Sequence, residues 1–432
     1  LLCALLAALI PIAPVAAQGS SSYTITVRGV GSASARPDLV SCEAGVEVVH
    51  SDAITAYSNV NTRLETIRAG LVALGIRSSD IQLLRVIIIP EDRTDSGVAP
   101  TGEFLYRYDR DRGVDLGGYN VVRHAGTTMA LYQFADVALL PAADRGADWL
   151  LDRLVPAGGG AAVFADGSIK VGTTALLAAG LAYRADTVDD DTSARYDTAL
   201  ARLVPFLVSA VQEDGSVVGE WDATSDRGVS GTESPFFTGE AMWALAMVGR
   251  TRGDVDATAA ARRVLADVAT ERDQRQGHWP PIPDHWAAYA MAELVAAGER
   301  LTPAEVDYAR RQAGAFGIQI RWESQRTNGS VNRLVRGERT YGASLATVGE
   351  GLGNLWRVAR VEPRLADLAA PLAERARCGA GMLRARQATD PDAGPEVLGA
   401  WFHHGVTQVD DQQHAASALW LAVPILEVDG SS

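Results

Sequence analysis

From Tyr23 to Val30 polar and apolar residues alternate, with Thr24 and Thr26 set against Ile25 and Val27, and the stretch from Val40 to Val49 behaves in the same way. Successive side chains of a strand point to opposite faces, so both runs predict β-strands; Gly29, Gly31 and Pro37 punctuate the link between them. From Ala53 to Leu74 the period changes. Ile54, Tyr57, Val60, Leu64, Ile67, Leu71 and Leu74 share one helical face, and the run stops at Gly75. Ile81 to Ile89 predicts a third strand. Composition then shifts between residues 91 and 102, and beyond that point the pattern is helical.

Six apolar segments rich in small residues recur there: "RHAGTTMALYQF", "GTTALLAAGLAY", "TGEAMWALAMV", "HWAAYAMAELVAAG", "LATVGEGLGNLWRVA" and "DQQHAASALWLAV". They begin at 123, 172, 238, 285, 345 and 411, so neighbouring copies lie 47 to 66 residues apart. Between them run one-faced amphipathic stretches: Arg145 to Leu154, Ala194 to Val211, Ala257 to Ala269, Pro303 to Phe316 and Leu365 to Arg377. A helix that is apolar on most faces is packed on all sides, whereas a one-faced helix covers it from outside. Six inner helices alternating with outer ones predict a mainly α protein, an (α/α)6 toroid of six helical hairpins over residues 102–428. An open solenoid of hairpins is the structural rival.

Two resemblances follow from these residues. The run "TITVRGVGSASARPDLVSCEAGVEV", followed by the helix and "LGIRSSDIQ", resembles the opening of the SIMPL domain of bacterial exported proteins. It covers residues 23–90, less than half that family's usual length, and implies a small N-terminal α+β module joined to the rest by a linker at 91–101. The sixfold pattern, with motifs such as "SPFFTGEAMWAL", resembles the six-hairpin glycosidase-like toroids over residues 102–425. In such toroids the inner helices run in one direction, and the loops entering their N-termini line the cleft.

That resemblance directs attention to what precedes each inner helix. Tyr119, Asn120, Arg123 and His124 open the first; Phe237, with Glu240 one turn in, opens the third; Trp279, Asp284, His285 and Trp286 open the fourth. Arg339, Tyr341 and Ser344 precede the fifth, with Glu350 further inside, and His403, His404, Asp410, Asp411 and His414 surround the start of the sixth. Packing asks for apolar residues rather than His, Asp and Trp, so this concentration points to a site. Aromatic faces beside carboxylates suit a sugar, whose CH faces stack while its hydroxyls bond to acids. Glycan cleavage needs two carboxylic groups, and the candidates are Asp284 with Asp410 or Asp411, with Glu240 in reserve. Tyr119, Asn120, Arg123, His124, Phe237, Trp279, His285, Trp286, Tyr341, His404 and His414 are the expected substrate-binding residues.

The structural alternatives are definite. Asp410 and Asp411 fall where an N-cap is expected, and Glu240 could be a buried acid held by an arginine. The spacing of His403, His404 and His414 matches no zinc signature, so neither a metal nor another cofactor is expected. "DTVDDDTSA" at Asp186 to Ala194 has a faint look of the triterpene-cyclase acidic motif, but the spacing differs and it follows an inner helix, which places it on the face away from the cleft.

Charge and the first residues complete the expectation. The net charge of -14 offers no basic patch for nucleic acid. Leu1 to Ala17 is apolar and uncharged, with small residues at Val15-Ala16-Ala17, and predicts a secretory signal cleaved before Gln18, its first few residues preceding Leu1. The run before Pro11 is shorter than the ~20 residues that span a bilayer. The expected protein is therefore an exported carbohydrate-active enzyme with a glycan substrate, a glycoside hydrolase first, with a non-catalytic glycan-binding or envelope-scaffold protein and a polysaccharide lyase or epimerase as alternatives.

Overall fold

The structure, a computed structural model, describes residues 23–34, 39–50, 53–73, 81–90, 101–136, 138–187, 190–278, 282–390, 394 and 397–430. The signal-like run and nearly all of the linker lie outside them. The chain divides into two compact units, Leu1–Gly97 and Val98–Ser432.

In the first unit β1 (Tyr23–Ser34) pairs antiparallel with β2 (Leu39–His50) on one side. After α1 (Ala53–Ala73), β3 (Ile81–Pro90) pairs antiparallel with β1 on the other side, giving the order β2-β1-β3 with α1 against the sheet. The change of period from two to 3.6 along the sequence thus appears as three strands and one helix.

The second unit opens with β4 (Arg107–Asp109) and β5 (Val114–Asp115), then α2 (Val121–Phe134), α3 (Leu140–Leu151), the strands β6 (Leu154–Ala157), β7 (Gly160–Ala165) and β8 (Ser168–Lys170), and α4 (Val171–Ala185). It continues through α5 (Asp190–Ala210), β9 (Glu220–Asp222), β10 (Arg227–Gly228), α6 (Pro235–Arg252), α7 (Val255–Thr270), the short α8 (Arg272–Arg275) and α9 (His285–Ala296). The remainder is α10 (Pro303–Ser324), α11 (Ser330–Arg336), α12 (Ala343–Val361), α13 (Ala369–Arg386), β11 (Val406–Gln408) and α14 (Val409–Gly430).

Six of these helices, α2, α4, α6, α9, α12 and α14, pack each against the next, and α14 returns to α2. That contact closes the circle and decides for a toroid over an open solenoid. The outer helices α3, α5, α7 and α13 each pack on the inner helix before them and α10 packs on the inner helix after it, α12, so that five outer helices surround the six inner ones in the (α/α)6 pattern among the described residues. Composition explains the division. Inner α4 is buried from Val171 through Ala182, whereas outer α7 buries Ala257, Ala260, Ala261, Val264, Leu265 and Val268 on a single stripe.

Capping sets the helix starts at one end of the ring. Asn120 accepts from Val122 N and Arg123 N at the head of α2, Ser234 caps α6 with Pro235 behind it, and Asp284 caps α9. The strand order β10-β9-β8-β7-β6 forms one small sheet, and β11-β4-β5 forms another that joins the chain entering α2 to the chain entering α14. Among the described residues no helix is long and apolar enough to cross a membrane.

Candidate active site

The inner helices are parallel, because side chains from their N-terminal halves meet one another. Glu350 of α12 is fully buried, and its Oε2 lies 2.7 Å from His414 Nδ1 of α14 and 4.0 Å from His285 Nε2 of α9. The other oxygen, Oε1, accepts a hydrogen bond from Tyr289 of α9 at 3.1 Å. Trp286 flanks both imidazoles, 4.5 Å from the His285 ring and 5.9 Å from that of His414, and stacks on Trp243 at 5.2 Å. The His414 side chain is 13% exposed, which makes it the member of this group that reaches solvent.

The two histidines differ in charge. Burial, with His414 nearby, drives the pKa of His285 well below its usual value, so His285 is neutral, and its Nε2 is buried without a hydrogen-bond partner among the described groups. Burial also opposes a charge on His414, but the Glu350 carboxylate, with Asp410 and Glu240 beyond it, outweighs this and raises its pKa. An imidazole whose Nδ1 is held by a buried carboxylate has a fixed tautomer and leaves Nε2 for a reacting group. Close by on α6, burial raises Glu240 from 4.5 to about 8; His414 opposes that rise and Asp284 adds to it. Glu240 is therefore a protonated acid at neutral pH, and no arginine holds it. Its Oε2 is buried without a partner, packed over Gly172 so closely that any side chain there would meet it.

The remaining acids of the cleft are committed elsewhere. Asp284 Oδ1 accepts from Ala287 N at 2.9 Å, and its Oδ2 is paired with the fully buried Arg272, which also holds Asp273. Asp410 faces Arg123 at 3.1 Å; burial raises its pKa, Arg123 lowers it and Asp411 raises it further, with an upward net result. Asp411 accepts from Ala343 N at 3.0 Å and from Gln408 N at 3.1 Å, tying the start of α12 to that of α14.

The structure thus brings Arg123, Glu240, Asp284, His285, Trp286, Asp410 and His414 into one cluster. Arg123 also donates to Tyr106 OH at 2.6 Å and to Gln408, so its guanidinium is occupied. Phe237 is half-buried over Gly172, beside Glu240. Tyr119 and His124 sit apart: His124 stacks on Trp149 of α3 at 4.6 Å, its Nε2 donates to Gly146 O at 2.8 Å and its Nδ1 accepts from Tyr119 OH, while burial lowers it to about 4. Asn120 is the cap of α2. Trp279 lies outside the described residues.

Tyr341 and Asp411 line a separate pocket of about 400 Å³ together with Glu338, Arg339, Ser344, His403 and Gln408. Tyr341 stacks on His403 at 5.8 Å, and His404 stands beside it at 3.1 Å from Glu338. The sequence marks Glu350 only as lying further inside the fifth inner helix and assigns it no role, and Tyr289 is not among its candidates. The signal that could have given Glu350 a role is that it is the single carboxylate in the otherwise uncharged run "GASLATVGEGLGN".

The ring is an (α/α)6 toroid, and solved structures share this fold at low identity. A D-mannose isomerase superposes with a TM-score of 0.52 and 10% identity over 78% of this chain and 94% of its own. The cellobiose 2-epimerase from Spirochaeta thermophila gives 0.52 and 14% over 76% and 92%, and the GH76A α-1,6-mannanase from Salegentibacter sp. gives 0.50 and 11% over 76% and 95%. A family model, SIMPL, "Protein of unknown function (DUF541)", matches residues 25–159. That match starts in the N-terminal sheet and runs on into α2, α3 and β6 of the ring. No curated protein matches the chain in sequence.

Proposed function

We propose that this is an exported carbohydrate-active enzyme that moves a proton on a free reducing sugar, an isomerase or epimerase. The carrying observation is the Glu350–His414 pair at the ring centre, with the neutral His285 on its other side. In the proposed step His285 takes the proton from the carbon beside the sugar carbonyl as His414 gives its proton to the carbonyl oxygen, leaving a neutral enediol. His285 then returns its proton to the neighbouring carbon while His414 recovers one from the second hydroxyl, which interconverts aldose and ketose; if the sugar turns its other face to His285, return of the proton to the first carbon, with His414 taking back the proton of the former carbonyl oxygen, gives the epimer. Glu350 keeps the imidazolium in place, and Tyr289 fixes Glu350. The adjoining Trp286 supports a sugar-binding reading, as do toroids of this shape that are named for mannose isomerisation and cellobiose epimerisation.

Glu240 favours a second reading. A buried acid held protonated to about pH 8 is suited to donating to a glycosidic oxygen, as a hydrolase requires. One experiment separates them: the full chain is incubated in D2O with reducing mono- and disaccharides and with envelope and plant polysaccharides, and followed by NMR. Carbon-bound deuterium next to the reducing carbon, without cleavage, supports proton transfer. New reducing ends without deuterium move the assignment to a hydrolase, and binding with neither product moves it to a glycan-binding protein.

A further inference from the structure

We propose that Glu338, His403 and His404, outside the ring-centre site, form a binding site for a zinc-type divalent cation at the wall of the 400 Å³ pocket. His403 and His404 are consecutive, and two adjacent side chains ordinarily diverge. Here they begin a two-residue hairpin closed by His403 N to Val406 O at 2.8 Å and Val406 N to His403 O at 3.1 Å, with His404 and Gly405 both left-handed at φ 51 and 78. A turn with positive φ at both central positions usually has Asn, Asp or Gly first, so His is an uncommon choice there. Its effect is to aim both rings at one acceptor: the ring centroids lie 4.2 Å apart, and Glu338 Oε2 is 3.7 Å from His403 Nε2 and 3.1 Å from His404 Nε2.

Those spacings identify the ligand class. Zinc bonds to nitrogen and oxygen of about 2.0–2.1 Å place neighbouring ligands of a tetrahedron about 3.3–3.4 Å apart. The two observed separations straddle that edge, and all three donor atoms lie within 4.8 Å of one another. In the central group of His285, Glu350 and His414 the corresponding separations, 2.7 and 4.0 Å, lie further from that edge on either side. Two histidines and one carboxylate are a donor set that zinc accepts, with the fourth position left to water or a ligand. The donors are exposed, at 52%, 67% and 40%, so an ion can enter. Arg333 pairs with the other oxygen, Glu338 Oε1, and leaves Oε2 to the ion. Once bound, the ion would join the segment entering α12 to the hairpin entering α14, two walls of the same pocket.

The test uses the tag-free full chain, zinc titration calorimetry, metal analysis after dialysis, and the visible absorption of the Co2+ form. Wild type should bind one equivalent, and Glu338→Gln or His404→Asn should weaken binding by at least about 100-fold, Asn being chosen because it tolerates the left-handed turn. Circular dichroism checks that each variant is folded. A His285→Asn/His414→Asn double variant should bind as wild type does. Millimolar or weaker binding by wild type would overturn the proposal. So would wild-type affinity in a folded His403→Ala/His404→Asn variant, or binding lost only in the central double variant.

Discussion

At the C-terminal ends of the inner helices Glu293 is buried between Arg250 and Arg357, at 2.5 and 3.1 Å, with Asn354 holding Arg357 and Gln133 donating to Tyr183 close by. At the N-terminal ends Glu240 and His285 are also buried, yet each keeps an atom of its titratable group without a hydrogen-bond partner among the described residues. Both ends place acids in an apolar ring. At the N-terminal ends Arg272 and Arg123 pair with Asp284 and Asp410, but among the described residues no cation pairs with Glu240. A buried acid left unpaired costs stability, so its persistence at one end of the ring marks the end where chemistry is expected. Asp186 of the "DTVDDDTSA" segment pairs with Arg252 at the last turn of α6, on the paired end, away from the cleft.

Removing the proton carriers should produce the largest effect. His285→Asn and His414→Asn are each expected to lower kcat by about 10²–10⁴-fold with unchanged circular dichroism. Activity within threefold of wild type in either would place the chemistry elsewhere.

The next effect is on stability, through Glu240. Its folded pKa of about 8 lies above its ordinary 4.5, so the folded state holds the proton more tightly, and stability falls as pH rises from about 4.5 to about 8. At 1.36 kcal/mol per unit this amounts to as much as ~5 kcal/mol. Glu240→Gln should therefore melt like wild type at pH 4.5 and well above it at pH 8.5. Calorimetry giving the same difference at both pH values would show that Glu240 is not held neutral.

Arg272→Ala should cost about 3–5 kcal/mol in chemical denaturation, because it strands the buried Asp284 carboxylate. A loss below 1 kcal/mol would mean that this pair can relax into solvent. The smallest effect belongs to Asp411→Ala, which removes acceptors from Ala343 N and Gln408 N and should cost about 1–2 kcal/mol while kcat stays within about tenfold. A fall in kcat beyond 10³-fold without loss of fold would return Asp411 to the catalytic group.

The ring was legible in the sequence because burial on all sides demands a particular composition. Runs such as "GTTALLAAGLAY" have little use except as an inner helix, and all six were recovered as α2, α4, α6, α9, α12 and α14. The site was legible in position more than in role. Asp284, Asp410 and Asp411 stand where both a cap and a catalyst would stand, and spacing alone does not separate the two uses. What separates them is the partner brought by another element: Arg272 from α8, Arg123 from α2, Ala343 N from α12. Glu350 is visible inside the fifth inner helix but the sequence assigns it no role, for the converse reason. Its importance comes from His414 and Tyr289, residues 64 and 61 positions away in the chain.

The seam where α14 meets α2 also governs how this protein comes into being. Arg123 and Gln408 bond across it although they are 285 residues apart, and β4 pairs with β11 along the same join. Both His414 and Asp410 arrive with the last inner helix. Until α14 docks, the ring therefore has an open apolar edge, and the cluster around Glu350 lacks a wall. On the proposed function, turnover would report that the circle has closed.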